Sequence, residues 1–187
     1  AALKINTRLA QVAEQFNIGM GVGSQRAGLL SSRLASTFKI VRKNAPNAFI
    51  FSNIGGAQLA EGLKTSSIMK LIDMIDADAL AIHLNPLQEL VQPEGEPNFR
   101  GILKRIHELS KDLKIPIIVK EVGCGISPQV ALKLQKNNVS ALNVAGLGGT
   151  SWTGIEQKRA IKANLSSKIN MGLLLWDWGI PTAASLL

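Results

Sequence analysis

The densest gathering of reactive side-chain types in the chain is His83-Leu84-Asn85-Pro86-Leu87-Gln88-Glu89, with Gln92-Pro93-Glu94-Gly95 directly behind it. A histidine alone at the end of an apolar run reads as a packing residue. With two amides and a carboxylate close after it, a ligand site is the better reading. The lone carboxylate, Glu89, suits Mg²⁺, a hard ion that takes one or two carboxylates and fills its shell with phosphate and water oxygens. No His/Cys spacing suits zinc. Lys120 closes the apolar run Ile115 to Val119. A lysine partly removed from water there can hold an anion or an electron-rich ring, and an ion pair with Glu121 is the structural alternative. Gly21-Val22-Gly23-Ser24-Gln25-Arg26 and Gly146-Leu147-Gly148-Gly149-Thr150-Ser151 are glycine runs that let backbone amides approach a phosphate. Arg26 adds a planar fork of donors. The first run lacks the third glycine of a dinucleotide fingerprint and the Gly-Lys-Ser/Thr ending of a P-loop. Cys124, between two glycines and with no base beside it, reads as a packing residue. His107 reads as an ordinary surface residue.

Elements must hold these groups, and their pattern repeats. Ile18 to Val22, Ala48 to Ile54, Ala79 to His83, Ile115 to Glu121 and Ala141 to Ala145 are short apolar runs with strand character. Between them lie helical stretches: Leu3 to Phe16, Leu34 to Arg42, Ser66 to Ile75, Gly101 to Leu113 and Pro128 to Asn137. The first places Leu3, Leu9, Val12, Ala13 and Phe16 near one face. Ser127-Pro128 predicts an N-cap followed by proline at the first helical position. The regular spacing is that of βα units, and near-continuous apolar strands predict a parallel sheet buried on both faces. Polar residues close every strand. That favours an α/β (β/α)₈ barrel, whose strand ends meet at one mouth, over an open sheet with a single switch point.

Composition narrows the function classes. Of 187 residues, 46% are apolar and 4% aromatic, with one cysteine, which excludes a disulfide scaffold and a disordered tail. The net charge of +8 is spread: seven Lys/Arg against one acid in residues 1–50, three against seven in 51–100, eleven against five in 101–187. With no basic block and almost no aromatic residues to stack on bases, nucleic acid is not the expected partner. No apolar run is long enough to span a bilayer, and Ala1 to Lys4 lacks a signal-peptide layout. A soluble, cytoplasmic protein without a membrane partner is expected.

Taken in order, these motifs resemble type 2 isopentenyl-diphosphate isomerase, the flavin-dependent family. The resemblance rests on Gly21 to Arg26, Asn53-Ile54-Gly55-Gly56-Ala57-Gln58-Leu59, His83 to Glu89, Gln92 to Gly95, and Val119-Lys120-Glu121-Val122-Gly123. It continues through Gly146 to Trp152 and Trp176-Asp177-Trp178-Gly179-Ile180-Pro181-Thr182. The resemblance implies an FMN-binding barrel that interconverts isopentenyl and dimethylallyl diphosphate without net redox change, using reduced FMN, Mg²⁺ and NADPH as reductant. By motif, Ser24, Asn53, Lys120 and Thr150 are implied FMN contacts. Arg26, His83, Asn85, Gln88 and Trp152 are implied on the substrate side, Gln88 and His83 as catalytic residues, and Glu89 as the Mg²⁺ ligand. A homo-oligomer, tetramer or octamer, is implied too. Residues 1–187 are then one catalytic barrel domain of about five βα units, with the family's first strand preceding Ala1 and its last two following Leu187. Asn143 stands where many relatives carry aspartate, and Asn137-Asn138 replaces a glycine-containing turn.

A related FMN barrel oxidoreductase, a 2-hydroxy-acid oxidase or a glutamate-synthase-like domain, is the alternative. It would share Lys120 and the glycine loops but has no need of the His83 to Glu89 cluster. A non-catalytic anion-binding module is a third reading, drawn from the basic charge.

Overall fold

A computed structural model describes residues 1–187. The chain begins with helix α1 (Ala2–Phe16), strand β1 (Met20–Gly21), α2 (Arg26–Leu30) and α3 (Ser32–Asn44). Strand β2 (Ile50–Gly55), α4 (Gly56–Ala60), α5 (Thr65–Ile75), β3 (Ala79–His83), α6 (Pro86–Val91) and α7 (Ile102–Asp112) follow. Then come β4 (Ile117–Lys120), α8 (Pro128–Gln135), β5 (Ala141–Asn143), α9 (Trp152–Lys162), α10 (Ser166–Leu174) and α11 (Thr182–Leu186). All five predicted strands form, within a few residues of the expected bounds. The predicted cap forms as well: Ser127 Oγ accepts from Val130 N at 3.3 Å, with Pro128 opening α8.

The strands are all parallel and lie in the order β1-β2-β3-β4-β5. A doubly wound sheet reverses its order at a switch point. No reversal occurs here, so every crossover leaves the sheet on the same side. The result is a curled half-barrel, part of a (β/α)₈ barrel.

Alternation along the strands separates two faces. Ile54, Leu80, Ile82, Ile117 and Val119 pack with Leu59, Ile68, Leu71, Ile106, Leu109 and Leu134 in the core between sheet and helices. The intervening residues, Asn53, Gly55, Ala79, Ala81, His83, Ile118 and Lys120, therefore face the concave side. Register sets them in levels: Gly55 pairs with His83, His83 with Lys120, and Lys120 with Asn143.

Two expectations need correction. The strands are not all buried on both faces: Ala141, Leu142 and Asn143 of β5 are exposed, because that strand pairs only with β4. On α1, the residues that pack are Ala10 and Ala13, against Phe38, Val41 and Ala45. Leu9 and Phe16 stay 51% and 63% exposed, with Leu3 and Val12 also on the surface. Alanines let α1 approach α3 closely, and the larger residues lie beside that contact. In the turn after α8, Asn138 takes the left-handed conformation (φ 62°), which asparagine tolerates better than most non-glycine residues.

Candidate functional site

Strand ends and the loops that follow them assemble the polar groups. Within the loop after β1, Gln25 is fully buried and acts as its anchor. Its Nε2 donates to Leu71 O at 3.0 Å, its Oε1 accepts from Ser52 Oγ and Asn53 N, and its backbone N–H donates to Asn53 O. Its neighbours Ser24 and Arg26 are left exposed at the rim. Arg26 lines a small recess with Gln58 and Glu61, and its charge acts on the Glu61 carboxyl.

On the concave face, Asn53 and His83 form a pair. Asn53 Nδ2 donates to Val22 O at 2.9 Å, which leaves its Oδ1, 2.8 Å from His83 Nδ1, to accept. That assigns the proton of a neutral His83 to Nδ1 and leaves Nε2 as an acceptor. Burial and the neighbouring Lys120 charge hold the imidazole down at about 4, so it is neutral near pH 7. Lys120 donates to Glu121 O at 3.2 Å, and burial lowers its own pKa. The ion pair between Lys120 and Glu121 does not form. The Glu121 carboxylate instead accepts from Val122 N at 2.8 Å and Cys124 N at 3.2 Å, and burial raises its pKa. Burial, with Glu121 adding to it, pushes the Cys124 thiol up to about 11, which suits a packing residue.

Most of the His83 to Glu89 cluster is helical, with Pro86 at the first position of α6. Asn85, 5% exposed, donates from Nδ2 to Gln88 Oε1 at 3.3 Å and to Glu89 Oε1 at 3.1 Å. Its own Oδ1 is buried without a partner. Gln88 Nε2 donates to Glu156 Oε1 at 3.0 Å, so its partner is a carboxylate on α9, not the adjacent Glu89. Glu89 Oε2 accepts from Glu96 N at 3.0 Å. No group of three His, Cys, Asp or Glu side chains gathers to hold a metal alone.

The remaining rim residues come from the glycine loop after β5. Thr150 is exposed and Trp152, 43% exposed, opens α9 above Gly123. Ser151 Oγ caps α9 through Gly154 N and donates to Trp176 O at 2.7 Å. Leu147 and Pro181 form a parallel bridge, so the Gly146 loop is tied to the Gly179 to Thr182 segment. A recess of about 630 Å³ lies beside this segment between Leu84, Leu87, Ile126 and Trp178. None of Asn53, His83, Gln88 or Lys120 lines it.

The structure thus brings Asn53, His83 and Lys120 onto one face, and places Asn85, Gln88 and Glu89 in one hydrogen-bonded group beside them. Ser24 and Thr150 lie on exposed loops, and Arg26, also exposed, opens α2. Gln25, Glu156 and Arg159 are the polar residues that sequence reasoning missed. Arg159 donates to Glu156 Oε2 at 2.6 Å. The signal for this pair was a Glu and an Arg three apart, but it carries meaning only on a helix, and no helix was expected over 152–162. His107 is also only half-exposed, with a buried Nδ1 that has no partner.

No family model matches the chain. Among curated proteins, it is 49% identical over 185 residues to the isopentenyl-diphosphate delta-isomerase of Methanosarcina mazei, covering 99% of this chain and 50% of that protein. Proteins of the same name from Sulfurisphaera tokodaii and Chlorobaculum parvum are each 45% identical, with 98% and 99% of this chain matched and 50% and 53% of theirs. Among solved structures, N-acetylneuraminate lyase from Mycoplasma synoviae is similar at a TM-score of 0.45 and 18% identity, covering 98% of this chain and 63% of that one. The chain is therefore similar over nearly its whole length to proteins named isopentenyl-diphosphate delta-isomerase, and it spans about half the length of those relatives.

Proposed function

We propose that the protein carrying this chain is a type 2, flavin-dependent isopentenyl-diphosphate delta-isomerase of isoprenoid biosynthesis, acting in the cytoplasm as a homo-oligomer, a tetramer or octamer. The observation that carries the reading is the placing of Asn53, His83 and Lys120 on one concave face, with the Asn85, Gln88 and Glu89 group alongside. The names of the curated relatives support it.

The residues fit the groups this chemistry needs. Lys120 spends one hydrogen bond on a carbonyl and has further ammonium hydrogens for an electron-rich ring. With Asn53, and with Ser24 and Thr150 at the rim, it would hold FMN. Reduced FMN, kept so by NADPH, would supply a ring able to stabilise positive charge and exchange a proton. Each Glu89 oxygen accepts one hydrogen bond and keeps a lone pair. That suits Mg²⁺ bound chiefly through substrate phosphate and water. The unpartnered Asn85 Oδ1 is an acceptor that a metal-bound water or a substrate donor would satisfy.

Within this reading each side chain has a task. Arg26 holds the diphosphate with its planar fork. Neutral His83 offers Nε2 as an acceptor and adds no charge of its own to the pocket. Gln88, oriented by Asn85 and Glu156, carries or directs the proton at the reacting carbon. Trp152 closes the pocket at the rim. The test is conversion of isopentenyl to dimethylallyl diphosphate with FMN, NADPH and Mg²⁺, followed in deuterated water. Folded, flavin-loaded protein that neither isomerises nor exchanges substrate hydrogen would overturn the proposal, and net substrate oxidation would point to the oxidoreductase reading.

A further inference from the structure

The guanidinium of Arg159 joins two things that are far apart in sequence. One arm, Nη1, donates to Glu156 Oε2 at 2.6 Å. The other, Nη2, donates to Glu94 Oε1 at 2.5 Å in the loop after α6. Glu156 is 3% exposed, and its other oxygen receives the Gln88 amide. The far end of the same loop is tied as well, since Glu96 N donates to Glu89 Oε2. Between these ties, an ideal Cβ on Gly95 would run into the Glu89 carbonyl, so the loop backbone lies directly against α6. One unbroken set of contacts thus runs from Glu89 through Asn85, Gln88, Glu156 and Arg159 to Glu94.

We propose that Arg159 is a positioning residue with two coupled effects: it fixes the Glu156 carboxylate that orients Gln88, and it latches loop 92–96 to α9 beside α6. This deepens the isomerase reading and rests on it for its catalytic half. The physical reason lies in Glu156. A carboxylate this buried needs a cation, and Arg159 is the only basic side chain in ion-pair range of it. Without that partner, Glu156 is no longer held in place, and the amide of Gln88 loses its fixed direction. A planar fork reaches Glu156 and Glu94 together, whereas a lysine ammonium on a shorter reach holds one of them poorly.

Three variants separate the two effects: Arg159→Met, Arg159→Lys and Glu94→Gln. Each is assayed for kcat and KM, for melting temperature, and for amide hydrogen exchange over residues 92–96. Arg159→Met is expected to lower kcat about tenfold or more while KM changes only a few-fold. Arg159→Lys should recover part of kcat, and both Arg159 variants should speed exchange in the loop. Glu94→Gln, an exposed change that leaves Glu156 paired, should speed loop exchange equally and raise KM, with kcat within about twofold of wild type. Unchanged loop exchange in both Arg159→Met and Glu94→Gln overturns the latch. A kcat loss in Glu94→Gln equal to that in Arg159→Met overturns the positioning role, as does normal kcat in Arg159→Met. If the folded, flavin-loaded wild type shows no isomerisation, the isomerase reading fails and the positioning role falls with it, while loop exchange still decides the latch.

Discussion

At His83, burial first and the Lys120 charge second pull the imidazole down to about 4 from its ordinary 6.5. Between those values the unfolded chain binds a proton that the native chain excludes. The stability contributed by neutral His83 is therefore complete above about pH 6.5 and drains away as pH falls toward 4, on the order of 3 kcal/mol in all. Urea unfolding at pH 7 and at pH 4.5 measures this. The loss on acidification should be smaller in His83→Gln than in wild type, and parallel losses would remove His83 as the cause. Glu89 offers a second residue-scale outcome. With Glu89→Gln the amide keeps a similar shape but loses the charge that a hard ion seeks, so half-maximal activation should need about tenfold more Mg²⁺ or worse. FMN affinity, which the proposal assigns to other side chains, should stay nearly constant. An unchanged Mg²⁺ requirement would move the metal contact elsewhere.

At the scale of elements, α1 shows how packing overrides apolar patterning. Ala10 and Ala13 sit against α3, while Leu9 and Phe16 remain at the surface. Leu9→Gln should change stability by no more than about 0.5 kcal/mol, whereas Ala13→Leu forces added volume between two close helices and should cost roughly 1–3 kcal/mol. Thermal melts of the two variants decide between this and an α1 held by its larger residues. Loop elements obey the same close-contact logic. A Cβ on Gly146 would meet Ile180 O and Thr182 N at 2.6 Å each, so the bridged loops after β5 and before α11 can approach only through glycine.

Across the whole molecule, four parallel strands place Gly55, His83, Lys120 and Asn143 at one level, although 88 residues of chain separate the first from the last. Lys120 therefore acts on His83 from a neighbouring strand. Lys120→Met should raise the His83 pKa part of the way to its ordinary value, because the like charge goes and the burial remains. Titration by NMR of the C2 proton reads this without any activity. The same variant should weaken FMN binding, seen as loss of flavin fluorescence quenching. A His83 pKa that does not rise would mean the ammonium does not reach it electrostatically, and unaltered flavin affinity would remove Lys120 from the proposed FMN contacts.

Much of this was legible in one dimension. Short apolar runs located the five strands, and helical periodicity located α1, α3, α5, α7 and α8 between them, because an element must offer apolar residues to be buried whatever its neighbours are. The motif His83 to Glu89 stood out in the sequence as a candidate site, since packing alone does not demand two amides, a histidine and a carboxylate together. Only the tertiary structure decided which partner each group took. Gln88 turns to Glu156 and not to Glu89, Glu121 turns to backbone amides and not to Lys120, and Gln25 is an anchor between two exposed neighbours. Those outcomes depend on register between strands and on how α9 packs beside α6. Hydrogen bonds form only within about 3 Å, a distance that spacing along a chain does not specify.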